Sequence, residues 1–99
     1  MYGLIGRIRA MSGKRAALAA ILTMADGAMP GCLSYVVAED PADADVLWVT
    51  EVWTDEAAHR ASLQLDSVKA AIARGRPLIA GFDSQTVTRV LGGIGLGGA

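Results

Sequence analysis

The stretch VLWVTEVWTDEAAH, residues 46–59, decides the fold, because in it a strand runs directly into a helix. Its first half is rich in β-branched and aromatic residues, which favours a strand. Thr54 is expected to cap the helix that follows. The stretch also contains both tryptophans, Trp48 and Trp53, and the only histidine, His59. What the chain does therefore depends on whether these rings line a pocket or fill a core.

Outward from this stretch, the hydrophobic pattern predicts three further strands and one earlier helix. Residues 40–45 form a polar loop that suits a hairpin and is too short for a crossover between parallel strands. The helix after Thr54 is expected to reach about Leu65, with a second helical piece over residues 67–74. The other elements are a strand at 2–10, a helix that begins at Ser12 and ends at Gly27, and strands at 32–39 and 82–91.

This order of elements, β-α-β-β-α-β, is typical of the ferredoxin-like split βαβ arrangement in the α+β class. It predicts a four-stranded antiparallel sheet with the helices on one face. The 99 residues fit one domain, which we place at residues 1–91. Residues 92–99 are glycine-rich and are expected to form a mobile tail, or an arm that only a partner chain orders.

The third strand is apolar on both faces, with Leu47 and Val49 on one side and Val46, Trp48 and Val52 on the other. The helices can cover only one of these faces. The chain is also 53% hydrophobic, with a mean hydropathy of +0.38. The simplest cover for the second face is the same face of another copy, so the sequence predicts a twofold homodimer.

Charge and cysteine content exclude several classes of function. A net charge of -1 and an isoelectric point near 5.6 provide no basic field for nucleic acid. The single cysteine, Cys32, rules out an internal disulfide and is expected to be an inert thiol, with no histidine or cysteine cluster to suggest a metal site. We find no signal peptide or membrane-spanning run, so a cytoplasmic protein is expected.

Charged and polar side chains recur on the predicted strands. We expect the Glu51 carboxylate to pair with one of the strand arginines near the subunit contact, where a solvated face is the alternative. The charged and polar side chains on the strands are those of Arg7, Arg9, Glu51, Gln85 and Arg89.

Three motifs together resemble the antibiotic biosynthesis monooxygenase family of dimeric α+β barrels. They are PGCLSY at residues 30–35, EVW at 51–53 and TDEAAH at 54–59. The resemblance extends over nearly the whole chain, residues 2–91. It implies the ferredoxin-like fold and the homodimer. For the branch that needs no metal, flavin or haem, it also implies a monooxygenase that oxidises a small phenolic or quinol-type ring with dioxygen.

The haem-degrading branch of that family fits less well. Its members carry a tryptophan and an axial histidine at positions that correspond to Ser62 and Ile72 here. The first-strand asparagine of those enzymes is replaced in the neighbourhood of Gly6 and Arg7. The resemblance therefore indicates a protein without haem.

For a cofactor-independent oxidation, the residue types available are His59, Trp53 and Tyr35. Histidine could act as the catalytic base that removes a phenolic proton. Trp53 and Tyr35 could bind the substrate by stacking on its ring. The alternatives are a helix histidine with a local hydrogen bond, a tryptophan that packs strand against helix, and a tyrosine at the edge of the core. Trp48 is expected in the dimer contact or the core.

The alternative function is a non-catalytic dimer of the same architecture, which binds a small molecule or serves in a stress response. Few polar groups converge on the predicted pocket, which keeps this alternative open. It predicts that ligands raise the melting temperature without turnover.

Overall fold

Residues 1–24 and 29–96 are described by the computed structural model of the chain. The strands are β1 (Tyr2–Ala10), β2 (Cys32–Glu39), β3 (Val46–Trp53) and β4 (Ile79–Arg89). The helices are α1 (Arg15–Leu22), α2 (Glu56–Ser62) and α3 (Asp66–Gly75), and a 3-10 turn (Arg76–Leu78) leads into β4.

The four strands form one antiparallel sheet in the order β2-β3-β1-β4. The two central strands, β1 and β3, are not neighbours in sequence, which is the ferredoxin-like topology. The predicted fold class is therefore confirmed. The second helix of this topology is divided into two helices, α2 and α3.

The register of the sheet separates its two faces, because side chains of directly paired residues point to the same side. Tyr2 pairs with Trp53, Leu4 with Glu51, and Ile8 with Leu47. These residues lie on the face that the helices cover. The core is built there around Leu18 of α1, and its buried members are Ile8, Ala10, Leu18, Leu47 and Val49.

The opposite face of the sheet carries Ile5, Arg7, Val36, Trp48 and Val52. Val36 on the edge strand β2 is 53% exposed. Both apolar faces of β3 are thus present as the sequence predicted.

The starts of the helices differ from the sequence prediction. Helix α1 begins after Lys14 and has no side-chain cap, so Ser12 is not its cap. Helix α2 is capped by Asp55 rather than Thr54, since the Asp55 carboxylate accepts a hydrogen bond from the Ala58 amide at 2.7 Å. The expected stop at Gly27 lies outside the described residues.

The last strand begins at Ile79, three residues earlier than predicted, and it ends at Arg89. Its pairing with β1 shifts register twice, and the first shift lies opposite Arg7 and Ile8. The second shift, between Arg9 and Ala10, lies opposite Ile79 to Gly81, the three residues that the prediction missed. There it interrupts the two-residue alternation that defines a strand in the sequence.

Candidate functional site

Hydrogen bonds hold the end of β3 and the start of α2 in one corner. The Asp55 cap fixes the first turn of α2, and the Thr54 amide donates a hydrogen bond to the Gly31 carbonyl at 2.8 Å. Ser62 donates from its hydroxyl to the His59 carbonyl at 2.6 Å near the other end of the helix. His59 is therefore carried by a short helix that is tied to the sheet at its N-terminal end.

The imidazole of His59 lies between two aromatic rings. The Tyr2 ring stacks on it with centroids 5.6 Å apart and planes at 27°. Trp53 meets it edge-on at 5.4 Å and 66°. The His59 side chain is 17% exposed. These contacts fix the plane of the ring and still leave it accessible from one side.

Glu51 lies at the centre of this group. Its Oε1 atom accepts a hydrogen bond from the Trp53 indole at 3.1 Å and lies 4.0 Å from His59 Nε2. Burial raises the pKa of Glu51, while the Trp53 hydrogen bond and the nearby His59 act in the opposite direction. The 4.0 Å separation is longer than a hydrogen bond, and it is short enough for a charge interaction when the imidazole is protonated.

The sequence prediction that Glu51 would pair with a strand arginine is therefore wrong. Its partners are Trp53 and His59 on the helix side of the sheet. Arg7 and Arg9 lie on the other face and pair with aspartates. The sequence contained a usable signal, because the alternation of β3 places Glu51 as the one carboxylate among apolar residues on the core-facing side.

Tyr35 and Cys32 lie beside Glu51 on β2, where Tyr35 is paired with Glu51 across the sheet. Burial, together with the Glu51 charge, raises the pKa of Tyr35 to about 12. The same two causes raise the pKa of the Cys32 thiol. Both groups therefore stay neutral near pH 7, and neither is available there as a base.

Two open clefts lie between α2 and β4, and His59 lines one of them. The nearer cleft has a volume of about 340 Å³, and its walls are Tyr2, Leu4, Glu56, His59, Arg60, Leu63, Gln85 and Val87. A neighbouring cleft of about 490 Å³ shares Tyr2, Glu56 and Val87 with it.

The predicted site residues occupy different positions around these clefts. His59 lines the nearer cleft. Trp53 is only 1% exposed and forms the layer beneath the histidine. Tyr35 packs against the core cluster on the far side of Glu51. Contact of a ligand with Trp53 or Tyr35 stays a prediction. The accessible aromatic wall is Tyr2, which sequence reasoning did not select.

The other face of the sheet carries a separate ionic cluster. Arg9 binds Asp43 at 3.0 Å and Asp83 at 2.8 Å, and Arg7 also pairs with Asp83. The Trp48 indole donates to Asp40 at 2.9 Å. Trp48 is thus on the uncovered face, as predicted, and its ring lies below the Arg7 guanidinium at 5.7 Å.

Within residues 1–24 and 29–96, no three histidine, cysteine or acidic side chains come together in a way that could hold a metal ion. Among the same residues, no helix has the length and apolar character needed to span a membrane.

Comparisons with known proteins agree with this architecture. The family model described as antibiotic biosynthesis monooxygenase matches residues 1–74. A crystal structure of a protein from Chloroflexus aurantiacus, provisionally named an antibiotic biosynthesis monooxygenase, is 57% identical, with a TM-score of 0.93 over 97% of this chain and 98% of that one.

More distant structures extend the comparison. A provisionally named antibiotic biosynthesis monooxygenase from Deinococcus radiodurans is 26% identical and has a TM-score of 0.77, with 95% of this chain and 96% of that one covered. A conserved protein from Methanosarcina mazei, 15% identical over 89% of this chain and 90% of that one, shares the fold with a TM-score of 0.76. No match is found among curated protein sequences.

Proposed function

Because the chain belongs to the antibiotic biosynthesis monooxygenase family, we propose that it is a cofactor-independent monooxygenase of small phenolic or quinol-type rings. The observation that carries this proposal is a cleft with one accessible aromatic ring, Tyr2, and one accessible histidine, His59, set against a half-buried carboxylate, Glu51. These are the groups needed to hold a planar acid and remove its proton.

In the first step, His59 accepts the proton of a ring hydroxyl. The O–H bond breaks, an N–H bond forms on the imidazole, and the substrate is left as a phenolate. Histidine is suited to this transfer because its unperturbed pKa, about 6.5, is close to the working pH. The ring stacked on Tyr2 is held with its hydroxyl near the base, which reduces the entropy cost of the encounter.

The phenolate then supplies electrons to dioxygen. A quinol loses two electrons when it becomes a quinone and two more when it takes up one oxygen atom. Those four electrons reduce dioxygen to the inserted oxygen and one molecule of water, so the substrate balances the reaction without another reductant. The protein has to favour the anion and restrict water around it.

A homodimer forms part of the same proposal. Members of this family are commonly dimeric. The face of the sheet with Ile5, Val36 and Val52 is left uncovered by the helices, and it includes the 53% exposed Val36. A second copy packed there would cover the apolar face and would leave the His59 clefts, on the other side of the sheet, open to substrate.

Oxygen uptake tests the function. Reduced quinols and phenols of one to three rings are mixed anaerobically with the protein, and air-saturated buffer is then added. We expect oxygen consumption above the rate without protein for at least one compound, and His59→Asn should lower it by a factor on the order of 10² to 10⁴. Compounds that raise the melting temperature without any oxygen uptake would instead favour the non-catalytic binding function.

A further inference from the structure

We propose that Glu51 is a positioning residue for His59, which orients the imidazole in the resting protein and stabilises the imidazolium that forms when the substrate loses its proton. The catalytic consequence rests on the proposed function. The pairing itself is a property of the protein without substrate and can be tested separately.

The geometry limits the imidazole to one arrangement. The stacked Tyr2 ring and the edge of Trp53 hold its plane, and Nε2 is directed at Glu51 Oε1, 4.0 Å away. A carboxylate that faces Nε2 favours the neutral tautomer with its hydrogen on Nε2. Nδ1 is then the nitrogen that is free to accept a proton.

Glu51 cannot easily turn away from the histidine. Its Oε1 atom is held by the indole N–H of Trp53, and that side chain is fully buried at 1% exposure. The Glu51 side chain itself is only 15% exposed. A carboxylate so removed from water is costly to keep charged unless a cation faces it. The imidazolium that forms on His59 when the substrate loses its proton is the cation that the site provides.

The other charged and titratable groups around the pair do not take over this role. Arg60 and Glu56 on α2 pair with each other at 3.2 Å and are largely exposed. Cys32 and Tyr35 on β2 are kept neutral by their raised pKa values. The groups that face His59 or Glu51 from the elements packed there are Tyr2, Cys32, Tyr35, Glu56 and Arg60, with Arg89 on β4 at the neighbouring cleft.

The charge balance of proton transfer explains why the pair matters. The transfer creates a phenolate and an imidazolium in a partly buried site. With Glu51 ionised, the imidazolium has a fixed counter-charge on the side away from the substrate, and its N–H at Nε2 can close the 4.0 Å gap to a hydrogen bond. The proton remains on His59 until a later step, in which the product forms and the proton is transferred away.

The pairing is tested by NMR titration of the imidazole, which is unambiguous because His59 is the only histidine. We expect the titration midpoint in Glu51→Gln to be lower than in the wild type, because the variant lacks the counter-charge 4.0 Å from Nε2. Glutamine keeps an amide oxygen for the Trp53 indole, so the packing is preserved. Glu56→Gln removes the same charge from the exposed turn before His59, and it should move the midpoint by much less because water screens it.

A midpoint in Glu51→Gln that equals that of the wild type, or moves no more than in Glu56→Gln, would overturn the inference. Nitrogen chemical shifts give a second readout, since the wild type should hold its hydrogen on Nε2, and Glu51→Gln should weaken that preference because a neutral amide oxygen accepts more weakly than a carboxylate. A merely structural role of Glu51 would change neither.

Activity provides the catalytic readout. The acid limb of the rate–pH profile should move to lower pH in Glu51→Gln by the same amount as the NMR midpoint, and the plateau rate should fall about tenfold or more. If no variant consumes oxygen, the proposed function fails while the NMR result still decides the pairing. If activity is present but the midpoint is unchanged, the function stands and the pairing is wrong.

Discussion

Gly31 lies so close to Ala58 on α2 that a Cβ atom built on the glycine would be 2.6 Å from the Ala58 Cβ. The backbone of Gly31 is also left-handed, with φ at +84°, and its carbonyl receives the Thr54 amide. This contact brings the start of β2 against the helix that carries His59. The position therefore requires glycine for two reasons, conformation and space.

Gly31→Ala is expected to lower the free energy of unfolding by about 2 to 4 kcal/mol, of which the left-handed conformation accounts for about 1 to 2 and the steric clash for the rest. Gly13→Ala is the matched control, because Gly13 has a similar φ of +76° but nothing within 4 Å of an added Cβ. Urea denaturation of both variants separates the two effects. Equal losses would show that the contact with Ala58 contributes nothing.

The ionic cluster on the uncovered face predicts acid sensitivity. The Arg9 guanidinium lowers the pKa of Asp83 below its ordinary value of 3.8, and hydrogen bonds from the Asp45 amide and from Arg9 lower that of Asp43. Because the folded state holds these protons more weakly than the unfolded chain, the stability they contribute is present at neutral pH. It is lost as the pH falls from above 3.8 through the lowered values.

Urea denaturation between neutral and acid pH should therefore show a shallower loss of stability in Asp83→Asn than in the wild type. Asp66→Asn, in the first turn of α3 and outside the cluster, serves as the control and should follow the wild type. High salt should reduce the difference, because ions screen these partly exposed charges. Identical pH profiles for all three proteins would argue against the cluster as a source of stability.

The proposed dimer predicts a mass of twice the 10.2 kDa chain in sedimentation experiments at micromolar concentration. Val36→Glu places a charge on the uncovered face and should shift the equilibrium to monomer, since a buried unpaired charge is strongly unfavourable. Val87→Glu is a suitable control, because Val87 is similarly exposed but lies at the clefts on the other face. A wild-type chain that sediments only as a monomer would exclude this assembly.

Val87 also allows the cleft itself to be tested, since it lines both clefts beside Tyr2. Val87→Trp should fill much of the space and abolish the thermal stabilisation that quinol ligands produce, with little change in the stability of the free protein. Val87→Thr keeps the branched shape and should retain ligand binding. Unchanged binding in Val87→Trp would place the ligand elsewhere.

The strands could be predicted from the sequence because each depends on local alternation. Both faces of β3 are as predicted, and Trp48 and Trp53 point to opposite sides. The residue that caps α2 could not be predicted from the sequence, since Thr54 and the adjacent Asp55 are both good capping residues. Only the backbone geometry decides between them.

The site was predictable only in part. His59 could be selected as the only histidine, but its partner Glu51 comes from the preceding strand and meets it only after α2 folds back over the sheet. The same three-dimensional step decides that Tyr2, at the start of the chain, stacks on the imidazole. Such contacts depend on how helix and sheet pack, which a local pattern does not contain.

Incubation with isotopically labelled dioxygen tests the proposed monooxygenase most directly. A quinol that supports oxygen uptake is converted under ¹⁸O₂ in ordinary water, and the product is analysed by mass spectrometry. We predict one heavy oxygen atom in the product of the wild type and a strongly reduced yield with His59→Asn. Product without the label, or no oxygen-dependent product from any quinol or phenol tested, would contradict the assignment.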